Sequence, residues 1–548
     1  MRRTRGPATG RAHDDVDAAL ACLSVDQLRV LVREMLLELD EVAHGRIVGS
    51  LIARAVRAGS GWAPAPRSRD EVAETLAFAT AAGRVSHADP GDVDEHLRRD
   101  SGAFLRRDYA AAHRILGALL GPIGDGQIDL GQHELADEVL GVDLCECAAQ
   151  FVVSAYMVSE PAQRAGAVYA AIGEVGGVGT FWEPVREMER VAMEPLPQLG
   201  DFLPLWRALV EREAGRERRS DWDADGDRWL REVVWRMEGA SGLAKLARST
   251  RRAADLRTWC RTLVDAQDWK AALSAFDEAS ELVADGKGLR GELLDGAALA
   301  AQELGRDDLP ARFERAWRAC PSMLRLRCWL GSARGRTAIR RRGAEALEAC
   351  PPSAHRQGAF LHLLQGDFEP AAELLAKAPG LGWSDDEHPG HLLFPLFEAL
   401  LCGGKASASN LLRGRHGSPI EELLSTTCEV DEPRLAAPEV DEILRHAGVD
   451  RIPDAAAPMK AAGAARGAAT AAAKGAVLAA MRRAAENRLA GVTEQKRRGH
   501  YRHAALLVAS CQACDPSPEA AAWVRSIKTE YRRFPALRNE LDRAMGNS

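Results

Sequence analysis

The acidic segment at residues 221–232 carries the side chains best suited to binding a metal ion. Its spacing is that of a calcium-binding loop, with carboxylates at positions one, three and five, glycine at six and glutamate at twelve. The residues at these positions are Asp221, Asp223, Asp225, Gly226 and Glu232. No second loop follows, and Arg228 stands where such loops usually carry an apolar residue. Acids also cap helix starts, so we interpret the segment as an acidic helix entry and keep a calcium-dependent regulator as an alternative function.

Two histidines and two cysteines near the C-terminus have the residue types of a zinc site. They are His500, His503, Cys511 and Cys514. About two helical turns separate the histidine pair from the cysteine pair, so one straight helix cannot wrap all four around an ion. Cys511 also occupies a position that the helical pattern elsewhere fills with alanine. We therefore assign these residues to packing and predict no zinc.

Two basic clusters, Arg340–Arg342 and Lys496–Arg498, have the charge needed to contact phosphates or an acidic protein. The whole chain, however, has a net charge of −7 and a pI near 6.1. A dedicated nucleic-acid-binding domain is normally basic. Nucleic acid is therefore not the expected partner, and an accessory subunit of a nucleic-acid-acting complex remains a second alternative.

The sequence contains no constellation typical of an enzyme. A Gly-x-Ser-x-Gly elbow is absent, and Cys402 with His388 and His391 is a chance-level association among 14 histidines. The glycine-rich residues 173–180 have neither the lysine nor the strand of a phosphate-binding loop, so we predict a flexible connector. We assign no catalytic, cofactor-binding or metal-binding residue.

Helical periodicity dominates the chain, and it is clearest between Leu256 and Pro321. Apolar residues recur there at three- and four-residue intervals, with alanines next to a single large aromatic side chain. The stripes comprise Leu256, Trp259 and Leu263; Ala272, Phe276 and Ala279; Leu293, Ala297 and Ala300; and Leu309, Phe313 and Ala316, followed by Pro321. Small residues let two helices approach closely while the aromatic ring fills the gap. The offsets from Leu309 to Pro321 resemble the second helix and final proline of a tetratricopeptide repeat, a unit that usually binds other proteins.

A short phrase recurs along the chain: a polar residue, an aromatic residue, two further residues, then alanine. Its copies begin at Asp108-Tyr109, Asp268-Trp269, Asp367-Phe368 and His500-Tyr501. We predict that these copies mark the junctions of helix pairs. Their uneven spacing predicts a diverged array.

The last tenth of the chain is similar to the ends of large bacterial helical-repeat proteins, some of which carry a SWIM zinc finger. The resemblance rests on residues 495–505 and 531–538. A SWIM finger needs Cys-x-Cys followed by Cys-x-His. Cys145-Glu-Cys147 is present, but no Cys-x-His occurs, so the resemblance does not imply zinc.

These patterns predict an all-α protein of stacked antiparallel helix pairs, a tetratricopeptide-like α-solenoid, with a C-terminal helical module. We expect a disordered basic tail (1–15), an N-terminal helical array (16–175), a central tetratricopeptide-like array (176–425), a linker and alanine-rich segment (426–490) and the C-terminal module (491–548). Glycines 463, 467 and 475 favour a tether over the first half of the alanine-rich part; the alternative there is a long exposed helix. Ser24 is the expected cap of the first strong helix. Trp182, Trp206, Trp229 and Trp235 are expected to separate packed helices.

Composition sets the expected compartment and mode of action. The 548 residues are 46% hydrophobic and 28% charged, with no secretion signal and no 18-residue apolar run. Eleven cysteines scattered through helical patterns do not form a disulfide framework. We therefore expect a cytoplasmic, non-catalytic scaffold or adaptor without a cofactor, holding a protein partner on an extended concave face.

Overall fold

The computed structural model describes residues 19–59, 61–131, 136–217, 223–283, 288–333, 336–383, 388–401 and 471–546. Within these ranges the secondary structure is helical and contains no strand, which confirms the all-α prediction. The predicted basic tail at 1–15 and the proline-punctuated linker from 426 lie outside the described residues. The chain divides into an N-terminal unit, Met1–Leu243, and a C-terminal unit, Ala244–Ser548.

The N-terminal unit contains ten helices among its described residues, and an eleventh helix begins in it. They are α1 (Val25–Leu37), α2 (Glu41–Arg57), α3 (Glu71–Ala82), α4 (Pro90–Leu105), α5 (Tyr109–Gly124), α6 (Ala136–Val139), α7 (Leu144–Val158), α8 (Arg164–Glu174), α9 (Pro184–Val191), α10 (Leu199–Glu217) and α11 (Asp225–Thr250). Helix α11 is kinked at Gly239, whose φ of 62° is left-handed. The boundary between the units follows this kink.

The described part of the C-terminal unit continues with thirteen helices. They are α12 (Ala253–Asp265), α13 (Trp269–Leu282), α14 (Gly288–Glu303), α15 (Leu309–Ala319), α16 (Met323–Gly331), α17 (Arg336–Ala349), α18 (His355–Gln365), α19 (Phe368–Ala376), α20 (Gly390–Leu401), α21 (Ala471–Glu494), α22 (Tyr501–Cys514), α23 (Pro518–Glu530) and α24 (Pro535–Ala544). From α12 to α19 most helices pack against the next one in the chain. Along this stretch, helices that are consecutive in the sequence therefore lie next to each other.

The residues predicted to lock α12, α13 and α14 together are mostly buried. Leu256, Trp259, Ala272 and Ala279 are 5% exposed or less, and Phe276 is 4% exposed. The ring of Phe276 lies against Gly296 of α14, where an added Cβ would come within 2.3 Å of it. In α15 the pattern is weaker, because Phe313 is only half-buried.

Three copies of the recurring phrase are junctions of helix pairs with the same backbone geometry. A left-handed residue (Arg107, Gln267 or Gly366) ends the first helix, and the following aspartate has φ between −81° and −87° and ψ between 72° and 77°. The aspartate N–H donates to the carbonyl five residues earlier, at 2.9–3.0 Å, as in a Schellman motif. Asp108 and Asp268 also accept a hydrogen bond from the third residue of the next helix. One aspartate thus closes one helix and caps the next.

The fourth copy differs. Its left-handed residue is Lys496, and Arg497 has the φ and ψ that aspartate has in the other three. A short 3₁₀ turn, Arg498–His500, then precedes α22. The chain reverses here with the same backbone geometry as in the other three copies, but the reversal lies three residues before the position that the phrase predicts.

We predict that replacing glycine by alanine changes the free energy of unfolding in opposite directions at two positions, one in the left-handed turn after α18 and one inside α18. Gly366 has φ of +92° and open space where a Cβ would go, so Gly366→Ala should lower the free energy of unfolding by about 1 kcal/mol through backbone strain alone. Gly358, inside the same helix, has only ordinary contacts at 3.7 Å and beyond, so Gly358→Ala should raise it by about 0.5–1 kcal/mol. Urea denaturation of both variants checks this, and equal signs would contradict it.

From Ala471 the alanine-rich segment is a helix, α21, as in the second of the two alternatives, but one face of this helix is buried. Residues 461–470, where glycines 463 and 467 favour a tether, lie outside the described residues. Ala480, Ala484 and Ala485 of α21 are at most 5% exposed and share a core with α18, α19, α20 and α22–α24. Residues on both sides of position 491 therefore contribute to one core. The segment after α19 lies against the backbone of α21 at Gly380 and Gly491: an added Cβ at Gly380 would collide with the Asn487 carbonyl oxygen, and one at Gly491 would lie 3.0 Å from the carbonyl carbon of Gly380.

The glycine-rich residues 173–180 also pack closely, in contrast to the predicted flexible connector. An added Cβ at Gly177 would lie 2.5 Å from the carbonyl oxygen of Gly124 at the end of α5. Val175 is fully buried. The glycines therefore permit two backbones to touch within the N-terminal unit.

Of the four tryptophans predicted to separate helices, two do so. Trp206 and Trp229 are buried and stack with ring centroids 5.8 Å apart. Trp182 and Trp235 are at least half exposed, and Trp182 lies under the guanidinium of Arg228. For these two residues the prediction is wrong, because periodicity identifies a helix face but not whether another element covers it.

Candidate functional site

The first two helices present the largest run of exposed apolar side chains in the described part of the chain. In α1 and just after it, Val25, Leu28, Val32, Met35 and Leu39 follow one another at intervals of three and four residues. This is the spacing of a coiled-coil seam. Val25 is 63% exposed and Met35 is 60% exposed. We call these five residues the α1 seam.

Helix α1 is well formed locally but contains no buried residue. Ser24 caps it as predicted: its hydroxyl accepts from the Gln27 N–H, and the Gln27 side chain accepts from the Ser24 N–H at 2.8 Å. Thirteen residues are marginal for an isolated helix in water, and packing of an apolar face normally stabilises such a helix. The part of the chain that the structure describes leaves most of that face uncovered, so α1 has apolar surface available for a partner.

Helix α2 has one buried side and one exposed side. Gly45 and Ala53 are its buried residues, and an added Cβ at Gly45 would lie 2.7 Å from the Gly141 carbonyl oxygen. Ile47 and Leu51, one turn apart, are about half exposed. Small residues thus hold α2 against the unit, while its larger side chains add to the exposed apolar surface.

The described carboxylates of the acidic segment are engaged by the protein itself. Both Asp223 oxygens accept from Arg231 at 2.7 Å, and Asp225 pairs with Arg228. Glu232, the twelfth position, is buried and accepts from the Val185 and Arg186 N–H groups at 3.2 and 2.8 Å. It caps the start of α9. Asp221 lies outside the described residues.

Burial raises the pKa of Glu232, and the two backbone N–H groups and Arg236 counteract that shift. The Glu232 carboxylate therefore stabilises the start of α9 and pairs with Arg236. Calcium would need both of its oxygens, so binding would release the α9 cap. Glu232 thus lies inside α11 and caps a different helix, α9, whereas the predicted acidic helix entry places these acids at the start of their own helix.

The four residues with zinc-ligand types are in and beside the core of the C-terminal unit. His503 is buried, receives a hydrogen bond from Arg488 Nε at 3.1 Å and meets the Trp383 ring edge-on. Cys511 is fully buried, and burial raises the pKa of its thiol. Among the described residues, no group of three or more His, Cys, Asp or Glu side chains is arranged to hold a metal ion.

Each basic cluster leaves cations exposed. Arg340 and Arg341 are exposed, whereas Arg342 donates to the Trp329 carbonyl oxygen and to the Ser332 hydroxyl. Lys496, Arg497 and Arg498 are all exposed. Two or three exposed cations per cluster are compatible with ordinary solvated helix faces.

His388, one of the two histidines that the sequence places near Cys402, has a structural role. His388 is buried, its Nδ1 accepts from the Gly390 N–H at 3.1 Å, and its Nε2 is 2.9 Å from the Pro379 carbonyl oxygen. This network places the proton on Nε2. Cys402 lies outside the described residues.

Burial also raises the pKa of the Asp100 and Glu398 carboxyls. The pKa of Asp100 is well above its ordinary value, and that of Glu398 is about 7. Asp100 lies in the N-terminal unit and Glu398 in the C-terminal unit.

Sequence reasoning missed a cavity in the N-terminal unit between α2 and α4. The signal was the small-residue spacing in α2, with Gly45, Gly49 and Ala53 at four-residue intervals. Such a face allows either close packing or a hollow, and sequence does not distinguish the two.

No helix in the described ranges combines the length and apolar character needed to cross a bilayer. Comparisons of this chain with models of protein families, with curated proteins and with solved structures found no match.

Proposed function

We propose that this protein is a non-catalytic cytoplasmic scaffold or adaptor built from tetratricopeptide-like helix pairs, and that it binds a protein partner through the α1 seam. The observation that carries the proposal is the uncovered seam on a helix with no buried residue. Monomeric proteins rarely leave contiguous apolar surface exposed, and such patches mark interaction sites. A partner helix with its own apolar stripe has the geometry to fill the seam.

The recurring junctions support the scaffold part of the proposal. The same backbone turn recurs between consecutive helices at Asp108, Asp268 and Asp367. Repeat proteins that bind partners over extended surfaces are built from recurring helix pairs. The engaged carboxylates at Asp223, Asp225 and Glu232 favour this function over calcium-dependent regulation.

Removal of the seam should abolish partner binding without unfolding the protein. Val32→Gln with Met35→Gln removes apolar surface from two exposed positions of α1, so the fold should be retained. The measurement is recovery of partners by the tagged full chain from the source cell, followed by binding of the purified partner. We expect affinity to fall at least tenfold, because each buried apolar side chain contributes about 1.5 kcal/mol or more.

The matched control is Arg33→Gln with Glu34→Gln, which changes two adjacent exposed residues between the seam positions. It should leave partner binding close to that of the unchanged protein. Equal binding by the seam variant and the control variant would contradict the proposed surface.

A further inference from the structure

The cavity in the N-terminal unit has a volume of about 380 Å³. Its walls come from α2, the segment 64–67, α4 and the residues 141–147 that lead into α7. The hollow exists because small side chains face it, including Gly49, Ala53, Ala65 and Gly102. The volume is within the range of pockets that bind small organic molecules.

The lining carries five arginines and three acidic residues. Each acidic residue already has a partner in the protein. Glu71 accepts from Arg106 at 2.6 Å, Glu146 accepts from Arg57 at 2.8 Å, and Asp143 caps α7 through the Glu146 N–H. Four of the five arginines also have carboxylate partners: Arg67 pairs with Glu95, Arg98 with Asp94, Arg99 with Glu74 and Glu95, and Arg106 with Glu71. The positive charge left to attract a ligand is therefore that of the fifth arginine, Arg46.

Arg46 is the cation in this lining that lacks compensation. Among the described residues it has no carboxylate partner, and its one hydrogen bond is a long contact of 3.4 Å to the Leu140 carbonyl oxygen. Its Nε is buried without an acceptor. A buried N–H donor without an acceptor raises the free energy of the folded protein, and a ligand that supplies an acceptor to Arg46 would remove this penalty.

Apolar side chains complete the cavity. Leu105 and Val142 are buried and Ile52 is half-buried. Together with the small residues of α2 they offer contacts to a hydrocarbon body rather than to a polar one.

We infer that this cavity binds a small amphipathic organic anion, with a carboxylate held by Arg46 and a hydrocarbon body against Ile52, Leu105 and Val142. A carboxylate matches the planar fork of donors on a guanidinium. The apolar body displaces water from the small-residue wall. This site is separate from the α1 seam, and it stands whether or not the proposed partner binding does.

The test uses the full chain and octanoate as the probe, followed by isothermal titration calorimetry and thermal melting. Octanoate should bind and raise the melting temperature. Octylamine, with the same chain and the opposite charge, should not bind, and inorganic phosphate should not bind because it has no apolar body. Equal binding of octylamine would show that the interaction does not depend on Arg46, and equal binding of phosphate would show that it does not need the apolar wall; either result overturns the proposal, as does the absence of octanoate binding.

Two variants locate the site. Arg46→Gln should weaken octanoate binding by about tenfold or more, as expected for loss of a charge-assisted hydrogen bond. Gly49→Leu should abolish binding by filling the hollow; an added Cβ there meets no heavy atom within 4 Å, and leucine favours the helix more than glycine does.

Matched controls separate these effects from general changes. Arg54→Gln removes an exposed arginine from the same helix, and Gly166→Leu enlarges another glycine with open space around it, in α8. Both should bind octanoate as the unchanged protein does, as should the seam variant Val32→Gln with Met35→Gln. Unchanged binding in both Arg46→Gln and Gly49→Leu would overturn the assignment.

Discussion

Phe276→Ala is expected to lower the free energy of unfolding of the C-terminal unit by about 3–5 kcal/mol. The ring is 4% exposed and fills the space between α13 and α14 that Gly296 leaves open. Its removal loses apolar burial and creates a cavity that two packed helices cannot fully close. Urea denaturation followed by tryptophan fluorescence measures the change. Leu304→Ala is the control, since Leu304 is 41% exposed and should matter little; a comparable loss in both variants would contradict the role of Phe276.

A double-mutant cycle tests the contact between Phe276 and Gly296 directly. Gly296→Ala alone should cost about 1–3 kcal/mol, because the new Cβ would collide with the Phe276 ring. In the Phe276→Ala background the same Cβ enters freed space and should cost much less. Residues in direct contact show such non-additivity, whereas independent sites do not. Additive effects would show that the ring and the glycine are not packed together.

Arg325→Met is expected to lower the free energy of unfolding of the C-terminal unit by about 3–5 kcal/mol. Arg325 of α16 pairs with Asp295 of α14, with Nη2 and Oδ2 2.7 Å apart and side-chain exposures of 9% and 15%. The same guanidinium donates to the Cys320 carbonyl oxygen at 2.8 Å. Methionine preserves much of the side-chain volume but leaves the Asp295 carboxylate buried without its charge partner. Urea denaturation at neutral pH measures the loss.

Removing the second charge separates the pairing effect from packing. Asp295→Leu added to Arg325→Met should recover most of the lost stability, because a buried ion pair replaced by apolar residues of similar volume is often tolerated. Lys377→Met is the control for a broken ion pair in solvent. Its 3.1 Å contact with Glu373 joins two side chains that are 76% and 70% exposed, so stability should barely change. A large loss in the control, or no recovery in the double variant, would contradict the argument.

Local structure could be predicted from sequence because its signals are short-range. The cap at Ser24 depends on residues three positions apart, and the aspartate junctions at Asp108, Asp268 and Asp367 combine an N-cap residue with a reversal immediately before it. The stripe of Ala272, Phe276 and Ala279 placed Phe276 on the apolar face of its helix. Each of these depends on neighbours within one helical turn.

The candidate sites were harder to predict, because each depends on segments far apart in the chain. The engagement of Glu232 by the start of α9 joins residues 46 and 47 positions apart, and no spacing within the acidic segment indicates it. Spacing alone made this segment the strongest metal motif. The contacts of Glu232 with Val185 and Arg186 show that this carboxylate caps α9.

The sequence by itself therefore determined the helical class, most of the interior stripes and the places where the chain turns back. Only the tertiary structure decided which of those stripes is covered. The alanines of α21 are buried because α18–α20 and α22–α24 supply the other side of a shared core, whereas most side chains of the α1 seam stay exposed. Periodicity sets the direction in which a side chain points, but the free energy of burial depends on an opposing surface that another part of the chain supplies.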